Sequence, residues 1–365
     1  MLKSYFLILY FFISVQFIVA QDFHLSQIDK TIAMINPALT ANYDGWEKVS
    51  FQHRSQWLGS GTQFSTSYGM AEFSIGRNKL MTKPFVGLGI YFTDDVGGDS
   101  KMSLKSSGLS LSGNLPLTKN NWFSAGILAS YTNRSADFSN LLFYSQWNGT
   151  QLDPSVNSGE LNTYAAYSYL DAGAGFSYNY KSRPNIPVAG EILDFQIGIS
   201  FMHLNRPNIR FTSFTDDNLY IKSCFHSNFK YALTDRSLLE FSAAQFFQGP
   251  HRETNVGLFY KTVLREASRY TNLKNVKYFT IGSYARFTGV LTPYCAIDIA
   301  SFKIGVSYDI EVGKISRAFK QSAEVSLSYL FSKKSISKNT LQDFPGVREM
   351  GDARESTVSF LSGSP

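Results

Sequence analysis

Phe302, Ile304, Val306 and Tyr308 alternate with Lys303, Gly305, Ser307 and Asp309, and a short step later Ala323, Val325, Leu327, Tyr329 and Phe331 alternate with Ser322, Glu324, Ser326 and Ser328. Strict period two sends alternate side chains to opposite faces of a strand. Each of these segments therefore has one apolar and one polar face. The rhythm recurs upstream: Val86, Leu88, Ile90 and Phe92 against Phe85, Gly87, Gly89 and Tyr91; Phe123, Ala125, Ile127, Ala129 and Tyr131 against Ser124, Gly126, Leu128 and Ser130; Leu193, Phe195, Ile197, Ile199 and Phe201 against Asp194, Gln196, Gly198 and Ser200. A chain that repeats this pattern from end to end folds into sheet.

Composition decides which kind of sheet. Charged residues are 17% of the 365 and aromatic residues 15%, against roughly 25% charged in an ordinary soluble domain. Such a chain is too aromatic and too weakly charged to be disordered. After the first 20 residues no apolar run reaches the roughly 18 residues of a membrane helix, and mean hydropathy is −0.13. Dispersed apolar residues in alternating runs are the signature of a transmembrane antiparallel β-barrel, where only every second residue meets lipid. A soluble sandwich would carry more charge and seldom need so many long strands.

About fourteen runs are readable: 47–56, 63–74, 84–93, 103–114, 121–132, 169–180, 191–203, 219–232, 237–248, 254–264, 275–287, 290–299, 301–310 and 321–331, with boundaries good to about two to four residues. An even count returns both termini to one side. The connections alternate in kind. One set holds Asn133–Ser168, Leu204–Asn218 and Glu311–Lys320, and the other holds turns such as Thr118-Lys119-Asn120 and Thr234-Asp235-Arg236. Long loops outside and short turns inside is the outer-membrane arrangement.

Residues 1–20, MLKSYFLILYFFISVQFIVA, have the form of a secretory signal peptide, with cleavage expected before Gln21. The expected organisation is a leader over 1–20, a periplasmic lead-in or plug-like segment over 21–46, the barrel over 47–331 and a periplasmic tail over 332–365. Outer-membrane lipid is thus an expected partner. The +6 formal charge is spread along the chain, whereas nucleic-acid binding calls for basic residues gathered in a stripe. Of the two cysteines, Cys224 falls on the polar face with Lys222 and His226, and Cys295 on the lipid face with Leu291 and Ile297, so no disulfide is expected.

Nothing local suggests catalysis. The five histidines, His24, His53, His203, His226 and His251, are scattered, with no HExxH, Cys/His metal spacing or GxSxG. Gly59-Ser60-Gly61-Thr62 lacks a phosphate-loop lysine. Asp94-Asp95 and Asp216-Asp217 fall in expected outward loops, where solvated charge is the simplest account. No catalytic residue, metal ligand or cofactor is assigned.

The lead-in carries Gln21-Asp22-Phe23-His24-Leu25-Ser26-Gln27, then Ile35-Asn36-Pro37-Ala38-Leu39-Thr40, and the first strand ends in Arg54-Ser55-Gln56-Trp57. The far end carries Ser307-Tyr308-Asp309-Ile310 and a closing run to Tyr329-Leu330-Phe331. These ordered elements resemble the PorP/SprF family, outer-membrane proteins of type IX secretion and gliding, with its QDPxFSQ, NPAxAG and RxQW elements and SYDF closing hairpin. Phe23 stands in place of the family's Pro, and Thr40-Ala41 in place of Ala-Gly. Between about 100 and 300 the likeness is one of strand rhythm alone.

The residues have readings of their own. Asn36-Pro37 starts a turn, so the lead-in can fold back as a compact element under or inside the barrel. Arg54 and Gln56 share a polar face, and Trp57 suits an interfacial aromatic girdle. Resemblance to the family implies a protein that holds a large adhesin cargo by its C-terminal signal domain and touches periplasmic partners of the machinery. A channel for hydrophobic or small solutes is the competing reading. Candidate contacts for cargo are the apolar side chains of the long loops, Phe138, Leu141, Leu142, Phe143, Tyr144 and Trp147, with Phe211 and Phe214, since clustered apolar side chains in a loop mark a binding patch.

Overall fold

A computed structural model describes residues 25–58, 63–78, 81–137, 141–159, 166–182, 189–209, 218–265, 277–312 and 321–331. Within them fourteen antiparallel strands close into a barrel: β1 (Glu47–Gln56), β2 (Phe64–Ile75), β3 (Phe85–Gly97), β4 (Met102–Pro116), β5 (Asn121–Ser135), β6 (Tyr167–Lys181), β7 (Ile192–Met202), β8 (Lys222–Ala232), β9 (Ser237–Gln248), β10 (His251–Arg265), β11 (Lys277–Arg286), β12 (Val290–Ile299), β13 (Phe302–Glu311) and β14 (Gln321–Phe331). Every strand pairs with its sequence neighbours, and β1 pairs with β14 from Glu47↔Phe331 to Gln56↔Ser322. No edge is left for another chain to pair with. We call the rim where β1 starts and β14 finishes the lower rim, and the opposite rim the upper.

The period-two pattern has the consequence it should. Ile304 and Val325 point outward, 48% and 47% exposed, while Ser307, Asp309, Glu324 and Ser326 point inward and are buried. Cys224 is buried in the lumen and Cys295 exposed on the outer wall, both as free thiols. The first, ninth, twelfth and last strands have the bounds read from sequence. β3 runs four residues further than its alternation suggested, because Asp94, Asp95, Val96 and Gly97 go on pairing with both neighbours. Asp94-Asp95 is therefore strand and not loop, and Asp95 accepts a hydrogen bond from Thr66 Oγ1 at 2.6 Å.

The lumen is occupied by the chain itself. Leu25 to Trp46 runs inside the barrel as a 3-10 turn (Ile28–Lys30), a single helical turn α1 (Ile32–Ile35) and a second 3-10 turn (Pro37–Leu39). The last begins at Asn36 because its side chain accepts the Ala38 N–H at 2.9 Å and Pro37 supplies a preset φ at the first position. Among the described residues no helix is long and apolar enough to cross a membrane.

Candidate functional site

The lead-in is fastened at four levels. Near the top, Ser26 and Gln27 meet β13, β14 and β1, the strands on either side of the closing seam. Glu324 receives the Ser26 N–H at 2.6 Å and the Gln27 N–H at 3.0 Å. Gln52 Nε2 donates to both Glu324 Oε1 (3.0 Å) and the Gln27 carbonyl (3.1 Å). The Gln27 side chain donates to Ser307 Oγ at 3.1 Å and accepts from Ser326 Oγ at 2.6 Å. Beside it Arg54 Nη2 pairs with Asp309 Oδ2 at 2.6 Å, and Asp309 also accepts from Ser26 Oγ and Thr292 Oγ1, each at 2.8 Å. Buried acids persist when they are paired or hydrogen-bonded: Asp309 has the Arg54 pair and two hydroxyl donors, and Glu324 has three N–H donors.

At mid-height Asn36 is wholly buried. Its Nδ2 donates to the carbonyls of Phe176 (3.0 Å) and Ile199 (3.2 Å) and lies 2.9 Å from His226 Nε2. The strands can approach this turn because the inward residues there are glycines. A Cβ at Gly126 would strike the backbone of Pro37 and Ala38, and one at Gly175 would strike the Asn36 side chain. Below, Ser112 Oγ donates to the Thr40 carbonyl at 2.7 Å and the Ala41 N–H to Glu72 at 3.0 Å. Lower still, Lys181 pairs with Asp44 at 2.5 Å, and the Trp46 N–H donates to the Phe331 carbonyl at 3.1 Å. Within the lead-in, Asp29 pairs with the adjoining Lys30 and accepts from the Tyr284 hydroxyl at 2.5 Å.

Beneath the lead-in a cavity of about 430 Å³ is lined by lysines and acids of the lower strand ends, among them Lys230, Lys261 and Lys303 with Asp194, Glu240 and Asp298. They form cross-strand pairs: Lys230 to Asp194 at 3.3 Å and Lys261 to Asp298 at 2.5 Å. Among the described residues no group of three or more His, Cys, Asp or Glu side chains is placed to hold a metal ion.

At the upper rim the long loop between β5 and β6 has structure of its own. Gln146 is its buried centre: its Oε1 accepts the Phe143 N–H at 2.8 Å, its Nε2 donates to the Val156 carbonyl at 2.9 Å and its backbone carbonyl accepts from Asp153 N at 2.9 Å. Trp147 and Leu152 bridge across it. The fold turns Leu142, Tyr144, Trp147, Leu152 and Val156 outward, Tyr144 to 89% exposure. Leu141 and Phe143 are half-buried.

The sequence-derived candidates thus separate into two places. Ser26, Gln27, Asn36, Pro37, Arg54, Ser307 and Asp309 converge in the lumen. Gln56 ends β1 opposite Ser322. Trp57 follows it with φ +59°, its Nε1 donating to Glu311 at 3.2 Å and its ring edge-on to Phe64. Tyr308 faces outward, and Tyr329 packs against Phe302 and Phe331 with ring centroids 4.5 and 4.6 Å away. Gln21, Asp22, Phe138, Phe211 and Phe214 lie outside the described residues. Sequence reading missed the seat. Nothing local marks Gln52 or Glu72 as part of a seat, and Glu324 and Gly126 stand in the inward halves of their alternating runs. Their shared signal is an inward face with gaps that something else must fill.

This architecture defines a class: an outer-membrane β-barrel closed by a segment of its own chain. The family description "Type IX secretion system membrane protein PorP/SprF" matches residues 18–329, and the chain belongs to that family. No protein with a curated description matches. Among solved structures, the toluene transporter TbuX of Ralstonia pickettii aligns with TM-score 0.48 and 11% identity over 82% of this chain and 93% of its own. A FadL homologue from Pseudomonas aeruginosa gives 0.44 and 10% over 82% and 93%. BamA of Haemophilus ducreyi lacking POTRA domains 1–3 gives 0.38 and 11% over 78% and 70%.

Proposed function

We propose that this barrel holds a large surface adhesin by its C-terminal signal domain during or after type IX secretion. The residues 1–20 serve as an export leader in this reading, and the upper rim faces the cell exterior. The observation that carries it is the β5–β6 loop, which spends a buried glutamine and several hydrogen bonds on displaying apolar side chains to water. Solvated loops gain nothing from such a surface, whereas a partner that dries it gains about 25 cal/mol per Å². The lower cavity, with both signs of charge on its wall, offers a face to periplasmic components of the machinery. No catalytic role is proposed.

Passage of hydrophobic or small solutes is the competing role, and the lead-in argues against it by crossing the lumen at every level. Shortening Leu141–Trp147 while the barrel still assembles tests the proposal. Loss of adhesin from the surface with other secreted proteins unaffected supports it. Normal adhesin display with increased solute permeability overturns it and makes the loop a cap.

A further inference from the structure

The charges around the lower cavity resolve into pairs, with a remainder. Among the described residues six lysines line it, and five of them are held: Lys30 by Asp29, Lys48 by Glu72 at 3.2 Å, Lys181 by Asp44 at 2.5 Å, Lys230 by Asp194 at 3.3 Å and Lys261 by Asp298 at 2.5 Å. One acid and one base of the wall are left over. Glu240 stands directly opposite Lys230 of β8, but that ammonium is turned to Asp194, and among the described residues Glu240 has neither an ion pair nor a hydrogen bond. Lys303 comes no nearer to an acid than 4.0 Å, at Asp298 Oδ1. Two further oxygens of the wall are buried without a hydrogen-bond partner: Asp298 Oδ1 and the Oγ of Ser242, a residue 6% exposed and two positions above Glu240 on the same face of β9. Buried polar groups in folded proteins are paired with few exceptions, and each exception calls for an explanation. Over these charges Ile32, Ile35 and Leu39 of the lead-in make an apolar ceiling, and Phe259, opposite Glu240 on β10, makes an apolar stretch of wall.

We infer that the lower cavity is a binding site for a small zwitterion, a molecule with an ammonium group at one end, a carboxylate at the other and an apolar body between. The ammonium goes to the Glu240 carboxylate, with Ser242 Oγ as a neighbouring acceptor, and the carboxylate goes to the Lys303 ammonium. A cation alone satisfies Glu240 and leaves Lys303 as it was; an anion alone does the reverse. The apolar body lies under Ile32, Ile35 and Leu39. At about 430 Å³ the cavity falls within the roughly 300–1,000 Å³ of small-molecule pockets, which share its apolar lining and few placed polar groups. Both ion pairs form inside the barrel under the lead-in, where charge-assisted hydrogen bonds are stronger than in open water. The inference goes beyond the cargo reading and holds whichever compartment the lower rim faces.

The test is isothermal titration calorimetry on the full-length protein in detergent at neutral pH, with 6-aminohexanoate as the probe and hexanoate and hexylamine as its singly charged counterparts. 6-Aminohexanoate is expected to bind at least about tenfold more tightly than either, since each counterpart forfeits one charge-assisted contact. Glu240→Gln should bring 6-aminohexanoate down to the affinity of hexanoate, and Lys303→Gln down to that of hexylamine, with both variants scored on the folded, heat-modifiable species. Neither substitution removes a close contact of the fold, because Glu240 has none to lose and Lys303 only the one at 4.0 Å. No saturable binding of 6-aminohexanoate, or equal affinity for it and either counterpart, overturns the zwitterion site. Undiminished binding in either variant overturns the assignment of the two ends to Glu240 and Lys303.

Discussion

The Gln27 amide N–H donates to Glu324 Oε1 at 3.0 Å across 297 residues of sequence. Glu324 lies on the last strand, directly opposite Arg54 of the first, so this contact ties the lead-in to the seam at which the barrel closes. The carboxylate takes two lead-in amides and the Gln52 side chain at once. That concentration of donors on one buried acid makes it the most sensitive point of the plug.

Glu324→Ala strands the buried Ser26 and Gln27 amides at about 1–3 kcal/mol each and leaves Gln52 Nε2 with the Gln27 carbonyl, for an expected loss of about 3–5 kcal/mol. Glu324→Gln keeps an acceptor oxygen and is expected to lose less than half as much. Urea midpoints of the heat-modifiable folded form measure both. Equal midpoints for Glu324→Ala and the unmodified protein would show the seam contact to be energetically idle.

A bulky residue at Gly126 has nowhere to go except into Pro37 and Ala38. Gly126→Val is expected to unseat the lead-in while leaving the lipid-facing wall intact, giving a folded barrel with new conductance in planar bilayers and a protease-sensitive lead-in. Gly113→Val is the control, since a Cβ there meets nothing within 4 Å. Indistinguishable conductance from the two variants would rule out a seat at Gly126.

Charge on the lipid face is expected to cost about 2–4 kcal/mol near the midplane, which applies to Ile304→Arg and Val325→Arg. From alternation alone Ser326→Arg is the mild counterpart, because the inward face is expected to meet water. The structure changes that comparison: Ser326 is buried and donates to Gln27, so an arginine there collides with the lead-in. Ser328, which lines the lower cavity, is the better partner. Ser328→Arg should refold in yields near the unmodified protein and Ile304→Arg should not. Similar yields for both would contradict the face assignment.

Strand number, order and facing were legible because each depends on a local period of two, which no tertiary contact can shift without turning a strand inside out. The Asn36-Pro37 turn was legible for the same reason: its cause lies within two residues. What could not be read was where that turn goes. Its partners, Phe176, Ile199 and His226, are 140, 163 and 190 residues away, and two of the three contacts are to backbone carbonyls that carry no residue identity. Asp94-Asp95 misled because charge at the end of an apolar run looks like loop, while in a barrel whose strands outreach the lipid it can equally be the polar top of a strand.

What touches the upper loop in a living cell decides whether that loop holds cargo. A photo-crosslinking amino acid in place of Tyr144, the most exposed of the displayed side chains, should on illumination of intact cells yield a covalent product with the C-terminal domain of a large surface adhesin. That product should vanish when the adhesin's signal domain is removed. An adhesin that stays on the surface while Tyr144 crosslinks only to lipid, or to nothing, would contradict the assignment of this loop as the cargo-holding face.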